Sequence, residues 1–440
     1  MKKNVCMFVW NHFTNDARVM RECTTLSEAG YHVDLIAIHD PNEQNLPLFE
    51  EFNESFHVHR VKRYPPLLQF LQRTIRFFAR RKLLALLPLL IIGFALYTFP
   101  LMTSLFILMA LMTLQPKSRT VWIRSSIFMR MVFKGRSRPY DIYHSNDLNT
   151  LPQGVLCSKF RFKKKNLIYD SHEVQTSRTG YDSGIYAKME GLLLPFVNTM
   201  IVENHTRAKY NEEFYGFYPE VLHNYPFQVE EEVESAPLHK ELGLPKSEKI
   251  LLYQGGIQTG RGLDKLVQAM PFIKEGTLVF IGDGRIKTDL QTQVKKMGLE
   301  DRIKFIPKVP LAELPSYTKN AYIGFQVLNN VCFNHYSASS NKLFEYIMAE
   351  VPVVACDFPE IKKVVEGEGT GVCVDSHNHE DIAEKVNYLL SNPELVKEMS
   401  ARCIKAKAIY NWDSEKNTLL TIYKNSQLIS SKNTASMEMD

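Results

Sequence analysis

The chain has 440 residues, of which 45% are hydrophobic and 23% charged, the composition of an ordinary globular protein with room for two large domains. It carries 53 Lys and Arg against 48 Asp and Glu, but 15 of the basic residues lie between Ser55 and Tyr140, where no acidic residue occurs. The rest of the chain therefore holds 38 basic and 48 acidic residues. A cationic segment inside an acidic body argues against nucleic-acid binding and favours a membrane surface as partner.

The N-terminal pattern predicts a β-loop-α-β unit, with strands over 3–10 and 31–38 and a helix over 16–30. A third strand is predicted over 57–61. Such a start is typical of a parallel sheet with right-handed crossovers, and the loop after the first strand then lies at the carboxyl edge, where these sheets bind ligands.

Residues 67–138 interrupt this pattern as an insert. Residues 67–82 have Arg and Gln on one helical face and apolar residues on another, the pattern of a helix lying in a lipid interface. Leu83–Leu114 contains no charge and would span about 48 Å as one helix, more than the roughly 30 Å of a hydrocarbon core. Pro88 and Pro100 are expected to break it, and both flanks are basic. We therefore predict a membrane-associating hydrophobic hairpin over 83–114, either re-entrant or crossing twice, and regard a pair of core helices as the alternative.

After the insert, strands and helices alternate again. The predicted organisation is an N-terminal domain (1–227), an acidic linker (228–248), a C-terminal domain (249–405), a helix (406–428) that packs back on the N-terminal domain, and a disordered tail (429–440). The seven cysteines are scattered without a C-x-x-C pair, which predicts reduced thiols in a cytosolic compartment.

Two glycine-rich turns open the C-terminal domain. The first contains Gly255, Gly256 and Arg261 between a strand and a helix, and the second contains Gly282 and Gly284. Glycine lets the backbone approach a ligand, a helix start offers N–H groups to phosphate, and Arg261 adds a charge-assisted contact. An ordinary βα turn remains the alternative at both places. A complete G-x-G-x-x-G is absent, which argues against a dinucleotide oxidoreductase.

A third segment, Ser339–Ala349, predicts a helix capped by Ser or Asn. Lys342 and Glu345 are three residues apart and share a face, either as diphosphate and ribose contacts or as a surface ion pair. His172 follows a strand of the N-terminal domain and is a candidate site residue, although a lone histidine is more often structural. There is no H-E-x-x-H, cysteine pair or D-x-D loop, so no metal is predicted.

Together these segments resemble the GT-B glycosyltransferases of family 4, which move sugars from nucleotide donors with retention of anomeric configuration. The resemblance covers nearly the whole chain outside 62–139. It rests on Asn15-Asp16-Ala17-Arg18, on 144–147 and 169–173, on the two glycine turns, and on Ser340–Ala349 followed by Pro352-Val353-Val354. The resemblance implies an α/β fold of two Rossmann-like domains facing across a cleft.

The resemblance also implies roles for individual residues. Catalytic roles fall to His172, Arg261, Lys342 and Glu345, and donor contacts to Gly255, Gly256, Arg261, Gly282, Gly284, Asn341, Lys342, Leu343 and Glu345. Asn15, Asp16 and Asp147 fall on the acceptor side. The expected donor is a UDP- or GDP-type nucleotide sugar, used as substrate without any cofactor. Three positions depart from the family pattern: Ser337 replaces the first acid of E-x7-E, Gly256 replaces an Arg, and Ser340 replaces a Pro.

We therefore expect a retaining glycosyltransferase at the cytoplasmic face of the inner membrane, held peripherally by residues 67–138 and acting on a lipid-linked or glycolipid acceptor. Two alternatives remain open at this point. A sugar-nucleotide epimerase shares the architecture, and a non-catalytic membrane adaptor is suggested by Ser337.

Overall fold

The computed structural model describes residues 2–14, 16–43, 46–80, 86–177, 184–228 and 234–437. The chain divides into two compact units. Unit 1 comprises Met1–Tyr169 with Phe196–Asn198, and unit 2 comprises Asp170–Pro195 with Thr199–Asp440. The boundary predicted at residue 227 does not coincide with this division. Val174, Asn204 and Thr206 form hydrogen bonds with residues that follow them in unit 2, namely Asn334, Ser337 and Glu360.

One sheet has eight strands in the order β3-β4-β2-β1-β5-β6-β7-β8. The strands are β1 (Asn4–Phe8), β2 (His32–His39), β3 (Phe49–Asn53), β4 (Phe56–Lys62), β5 (Ile142–Asn146), β6 (Asn166–Ser171), β7 (Thr199–Val202) and β8 (Glu220–Val221). β1 pairs in parallel with β2 and β5, and β2 pairs in parallel with β4. β3 is an antiparallel edge strand.

The second sheet has six strands, all parallel, in the order β11-β10-β9-β12-β13-β14. They are β9 (Ile250–Gln254), β10 (Thr277–Ile281), β11 (Ile303–Ile306), β12 (Ala321–Gln326), β13 (Val353–Cys356) and β14 (Gly371–Val374). In β9, Leu251 and Tyr253 belong to one buried cluster while Ile250 and Leu252 belong to another. Alternate residues thus fill two cores, because helices cover both faces of the sheet.

The helices connect and cover these strands. They are α1 (Ala17–Glu28), α2 (Pro66–Arg80), α3 (Leu86–Thr98), α4 (Pro100–Leu114), α5 (Pro116–Gly135), α6 (Leu151–Lys159), α7 (Ile185–Leu193), α8 (His205–Tyr215), α9 (Leu238–Glu241), α10 (Leu263–Ala269), α11 (Lys287–Lys296), α12 (Leu314–Thr318), α13 (Phe333–Tyr336), α14 (Asn341–Met348), α15 (Pro359–Val365), α16 (His379–Ser391), α17 (Pro393–Lys407) and α18 (Trp412–Met437). The expected α/β fold with two parallel-sheet domains is confirmed.

The insert consists of α2 to α5. The helix is interrupted between Thr98 and Pro100, as predicted, and the Thr103 hydroxyl donates to the Ala95 carbonyl across this break at 2.9 Å. The break predicted at Pro88 is wrong, because Pro88 lies in the first turn of α3, where a proline is tolerated. The uncharged run begins at Leu83, and its first residues, 83–85, lie outside the described part of the chain. Among the described residues, none of the helices has both the length and the apolar character needed to cross a bilayer.

Two elements differ from the sequence expectation. β3 was not predicted, because its residues FEEFN are mostly exposed and lack alternation of apolar and polar side chains. α18 continues to Met437, beyond the predicted helix end at residue 428, since no Gly or Pro interrupts residues 412–437. At its start, the Trp412 amide donates to the Pro226 carbonyl at 2.7 Å.

Candidate active site

The loop between β9 and α10 forms the centre of the candidate site in unit 2. It begins at Gly255, at the carboxyl end of β9, and ends at Gly262, the N-cap of α10. Gly262 has φ +67°, and a Cβ there would lie 2.1 Å from the Val327 carbonyl oxygen. Because any side chain would clash with this backbone atom, glycine is required for the loop to pack against the end of β12.

The second glycine turn packs directly against the first. The Gly255 amide donates to the Ile281 carbonyl at 2.9 Å, and the Ile257 amide donates to the Asp283 carbonyl at 2.9 Å. A Cβ at Gly282 would lie 2.0 Å from the Gly255 carbonyl oxygen, and one at Gly284 would lie equally close to that of Ile257. These two glycines therefore shape the first loop by allowing this approach of backbone to backbone.

Lys342 places a buried cation beside the first loop. Its ammonium group donates to the Tyr253 hydroxyl at 3.1 Å and lies 4.3 Å from the centroid of the Tyr253 ring. Its Cε lies 3.4 Å from the position that a Cβ at Gly255 would take. Burial lowers the pKa of Lys342, and the charge of Arg261 lowers it further. The alternative of an exposed ion pair with Glu345 is therefore wrong for Lys342.

Arg261 lies on the same loop and is half-buried. Its Nε is 4.0 Å from the position that a Cβ at Gly256 would take. The site thus brings two cationic groups, Arg261 and Lys342, to the carboxyl edge of the second sheet. Close together, such groups favour an anionic ligand.

Glu345 is held in position by a short chain of hydrogen bonds. The Gln254 side-chain amide donates to Glu345 Oε2 at 2.7 Å, and the Thr318 hydroxyl donates to Gln254 Oε1 at 2.8 Å. Gln254 ends β9, so this hydrogen bond anchors the glutamate to the sheet. This arrangement fixes its rotamer at the edge of the site.

The start of α14 differs from the expectation in one respect. Ser340 occupies the N-cap position, as predicted, but its side chain makes no capping hydrogen bond. Asn341 is exposed at the first position of the helix, and its Oδ1 accepts from the Asn224 amide at 3.0 Å. The side chain of Leu343 is buried in the core.

Ser337, at the place of the first family acid, is completely buried. Its hydroxyl donates to the Phe333 carbonyl at 2.8 Å and accepts from Arg207 Nε at 3.2 Å. Arg207 also donates to Glu203 Oε2 at 2.6 Å and to the His172 carbonyl at 2.5 Å. The side chain of Ser337 is therefore directed into a structural network.

The same hydrogen-bond network includes the backbone carbonyl of His172, which belongs to unit 2. The His172 Nε2 lies 3.0 Å from Asp170 Oδ2, and Asp170 is completely buried. A carboxylate at that nitrogen fixes the tautomer and the orientation of the ring. The Val174 amide donates to Asn334 Oδ1 at 2.7 Å, which ties the His172 segment to the residues that precede α14.

The predicted acceptor-side residues belong to unit 1. Asp16 is the N-cap of α1, where Oδ1 accepts from the Val19 amide at 3.2 Å and Oδ2 accepts from the Asn11 side chain at 2.7 Å. Asp147 follows β5 with φ +64°, a conformation that aspartate tolerates better than most residues. Both lie after carboxyl ends of strands of the first sheet. Asn15 lies outside the described residues.

Sequence reasoning missed several residues of this site. Tyr253 and Gln254 end an apolar strand, and their partners lie about ninety residues away in α14. Gln326, at the end of β12, is completely buried, and neither its Nε2 nor its Oε1 has a hydrogen-bond partner within the described residues. A polar residue ending an otherwise buried strand was the available signal for Gln254 and Gln326.

Comparison with known proteins supports the resemblance. Residues 234–408 match the family model described as Glycosyl transferases group 1. The chain is 26% identical over 197 residues to a D-inositol 3-phosphate glycosyltransferase of Thermomonospora curvata, covering 42% of this chain and 44% of that protein. It is also 26% identical over 198 residues to the alpha-D-kanosaminyltransferase of Streptomyces kanamyceticus, covering 44% and 50%. The chain thus aligns with about half the length of these relatives.

Solved structures show the same fold over nearly the whole chain. Sucrose-phosphate synthase from Thermosynechococcus elongatus gives a TM-score of 0.72 at 15% identity, covering 98% of this chain and 100% of that one. Anabaena HepE in complex with UDP-glucose gives 0.63 at 12% identity, covering 98% and 99%. WaaG, a glycosyltransferase involved in lipopolysaccharide biosynthesis, gives 0.59 at 12% identity, covering 97% and 99%. The GT-B fold predicted from the sequence is confirmed.

Proposed function

We propose that this chain, which has the GT-B fold and a Glycosyl transferases group 1 match over residues 234–408, is a retaining glycosyltransferase. It moves a sugar from a UDP- or GDP-type nucleotide sugar to a lipid-linked or glycolipid acceptor. The observation that carries the proposal is the pair of cations, Lys342 and Arg261, beside a glycine loop at the carboxyl edge of the second sheet. The solved HepE structure was determined with UDP-glucose, which supports a donor of this class.

The donor diphosphate would lie against the glycine loop. Lys342 is buried, so its charge acts through a medium of lower dielectric constant than water and its attraction for a phosphate is correspondingly stronger. Arg261 supplies a second cation with a planar fork of donors, and the start of α14 adds its N–H groups. As the glycosidic bond breaks, negative charge grows on the leaving diphosphate, and these groups stabilise it.

Glu345 and His172 would hold the ribose and the sugar of the donor. Glu345, anchored by Gln254, presents a carboxylate to the ribose diol. His172, oriented by Asp170, is assigned to the donor sugar. No protein nucleophile, cofactor or metal is needed for this chemistry. The acceptor hydroxyl attacks the anomeric carbon on the face that the diphosphate leaves, and its proton passes to the oxygen of the leaving diphosphate.

The insert supports a lipid acceptor. On α3 and α4 the side chains of Leu90, Phe94, Tyr97, Leu101 and Met102 are each 71–88% exposed. A contiguous apolar surface of this kind, flanked by basic residues and lacking acids from Ser55 to Tyr140, suits the interface of an anionic membrane. The helices of 13 and 15 residues would each reach only about 20 Å, which favours a re-entrant position.

The topology of unit 1 supports a position of the hairpin at the carboxyl edge of the first sheet. β4 ends at Lys62, and Arg130 of α5 donates to the carbonyls of Lys62 and, at 3.2 Å, of Tyr64. Ile127, Met131 and Val132 of α5 are buried, whereas the part of the helix before Ile127, about 16 Å long, has no buried residue. The hairpin attached there projects from the carboxyl edge, where Asp16 and Asp147 also lie. We infer a peripheral protein at the cytoplasmic face of the inner membrane.

A transfer assay tests the assignment. Full-length protein is incubated with labelled nucleotide sugars and lipid extract, and the lipid-soluble label is counted for the wild type and for Arg261→Ala, Lys342→Ala and Glu345→Ala. We expect losses of roughly a hundredfold or more for the cation variants, the range for removal of a transition-state contact. Lys362→Ala, which removes an exposed lysine of α15, is the matched control and should retain activity. Near wild-type transfer by all three site variants would refute the assignment.

A non-catalytic membrane adaptor is the second candidate, and the buried Ser337 in place of an acid favours it. It predicts binding of the nucleotide sugar without turnover. An epimerase would instead convert the donor in the absence of any lipid.

A further inference from the structure

Unit 1 contains a cluster of titratable side chains at the amino ends of two neighbouring strands. β2 begins His32-Val33-Asp34, and β4 contains His57-Val58-His59. In the parallel register Asp34 lies beside His57, and alternate residues of a strand share a face. His32, Asp34, His57 and His59 therefore point to one side of the sheet, while Val33 and Val58 fill the core on the other side.

Three imidazole nitrogens converge on one carboxylate oxygen. Asp34 Oδ1 lies 3.1 Å from His59 Nε2, 3.5 Å from His57 Nδ1 and 3.8 Å from His32 Nε2. Only the His59 distance is that of a hydrogen bond. The ligand atoms of His32, Asp34 and His57 all lie within 4.8 Å of one another. The hydrogen bond from His59 does not account for the approach of His57 and His32 to the same oxygen.

We propose that His32 Nε2, His57 Nδ1 and Asp34 Oδ1 bind one divalent transition-metal ion of the Zn²⁺ or Co²⁺ type. Two imidazoles and one carboxylate are a common ligand set for these ions. Bonds of about 2.0–2.1 Å give a tetrahedral edge of about 3.3 Å, close to the two oxygen–nitrogen distances of 3.5 and 3.8 Å. The site therefore needs only small side-chain adjustments.

The surroundings hold the ligands in position. The other oxygen of Asp34, Oδ2, accepts from the Tyr140 hydroxyl at 2.7 Å and from Arg138 NH1 at 3.2 Å. The carboxylate is completely buried and thus cannot rotate away freely. Metal ligands supported by further hydrogen bonds of this kind are typical of natural sites.

A cavity of about 370 Å³ adjoins the cluster and is lined in part by Lys2, His32, Asp34 and Arg138. It leaves room for a fourth ligand. The two cations would weaken metal binding by repulsion, but Arg138 is half exposed and therefore screened by solvent. An anion such as chloride or phosphate at the fourth position would offset their charge.

This site is separate from the transfer chemistry. His32 begins β2 and His57 is the second residue of β4, so both lie toward the amino edge, whereas the candidate active site lies at carboxyl edges. The metal would cross-link β2 to β4, and its role is structural. Short-range spacing motifs could not detect it, because its ligands alternate on two strands.

Metal binding is tested on full-length protein stripped with a chelator. Co²⁺ is titrated while its visible absorption is recorded, and Zn²⁺ is then added to displace it. We expect one equivalent of Co²⁺ in the wild type, at least tenfold weaker binding in His32→Gln/His57→Gln, and unchanged binding in His377→Gln/His379→Gln, which removes two histidines far from the cluster along the chain. His32→Gln alone, at a position 25% exposed, serves if the double variant does not fold.

The Arg138→Gln variant distinguishes a site that binds a metal ion first from a site that binds an anion first. Removal of this cation should leave Co²⁺ binding as tight or tighter if the metal binds first. Equal Co²⁺ binding by the wild type and by the His32 and His57 variants would overturn the proposal. So would an absence of metal binding together with a thermal stabilisation by phosphate that Arg138→Gln abolishes.

Discussion

The ammonium group of Lys342 donates a hydrogen bond to the Tyr253 hydroxyl at 3.1 Å and lies 4.3 Å from the centroid of the same ring. One tyrosine at the end of β9 thus orients the buried cation in two ways. The Tyr253 hydroxyl in turn donates to the Gly256 carbonyl at 2.9 Å, which links the cation to the glycine loop. The position of the charge is therefore set by the sheet.

Tyr253→Phe is expected to weaken donor binding. The change removes the hydroxyl that orients Lys342 but keeps the ring beneath it, and a hydrogen bond to a charged group contributes about 1.5–3 kcal/mol. We expect the Kd for nucleotide sugar, measured by calorimetry, to rise roughly tenfold. Tyr388→Phe, at an exposed tyrosine of α16, is the control and should leave the Kd unchanged. An unaltered Kd in Tyr253→Phe would mean that the hydroxyl does not position the cation.

The pH dependence of donor binding should reveal the lowered pKa of Lys342. Burial favours the neutral amine and lowers the pKa of Lys342. As the pH rises, the charge that attracts the diphosphate is therefore lost at a lower pH than the ordinary lysine pKa of about 10.5 would give. Below its pKa the lysine is charged and binds; above it the attraction disappears. We expect the Kd for nucleotide sugar to begin to rise with pH below that ordinary lysine value in the wild type. In Lys342→Gln the Kd should be higher throughout and nearly constant, and a parallel rise there would assign the effect to another group.

Gly262→Ala should destabilise the second sheet domain strongly. Its φ of +67° and the 2.1 Å approach to the Val327 carbonyl both oppose a side chain. Gly298 has nearly the same φ, +66°, but nothing within 4 Å of the Cβ position. We expect Gly298→Ala to cost about 1 kcal/mol in the free energy of unfolding and Gly262→Ala at least about 2 kcal/mol more, measured by urea denaturation. Equal costs would show that the loop can move away from β12.

Gln326→Met should raise the thermal midpoint of the ligand-free protein. The buried amide has no partner within the described residues, and replacing it with an apolar side chain of similar size removes a cost of about 1–3 kcal/mol. Because Gln326 ends β12 at the edge that carries the glycine loop, we also expect the donor to stabilise this variant less than the wild type. A lower thermal midpoint of Gln326→Met without donor would contradict the interpretation that this amide lacks a hydrogen-bond partner until a ligand binds.

Membrane binding should depend on the exposed face of α3 and α4. We expect Leu90→Glu/Phe94→Glu/Leu101→Glu to move most of the protein from anionic vesicles into the supernatant after sedimentation, since charges oppose burial in lipid. Ile404→Glu/Ile409→Glu, at exposed apolar residues about half accessible in the second domain, is the matched control. Persistent sedimentation of the triple variant would exclude the hairpin as the membrane contact.

Much of the fold was predictable because buried parallel strands carry continuous apolar runs between polar turns. β9, β10 and β13 are buried throughout and belong to the region where strands and helices were predicted to alternate. β3 was missed because an edge strand with exposed Phe49 and Phe52 lacks this signal. The packing of α5 against the first sheet was also missed, since its buried Ile127, Met131 and Val132 are surrounded by basic residues.

The candidate site was predictable only where its residues lie in one segment. The glycine loop and the Lys342 helix were found from local spacing. The hydrogen bond from Gln254 to Glu345 and the bond from Arg207 to Ser337 join residues about 90 and 130 positions apart, and only the fold brings them together. The clustering of the histidines of β2 and β4 could not be predicted for the same reason.

The most direct test of the central claim is the stoichiometry of the reaction itself. Wild-type protein is incubated with a labelled nucleotide sugar and lipid extract, and released nucleoside diphosphate is measured beside lipid-linked sugar. Our account predicts equal amounts of the two products, with the anomeric configuration of the donor retained in the lipid product by NMR. Binding of the nucleotide sugar with no diphosphate release, or conversion of the donor without lipid, would contradict it.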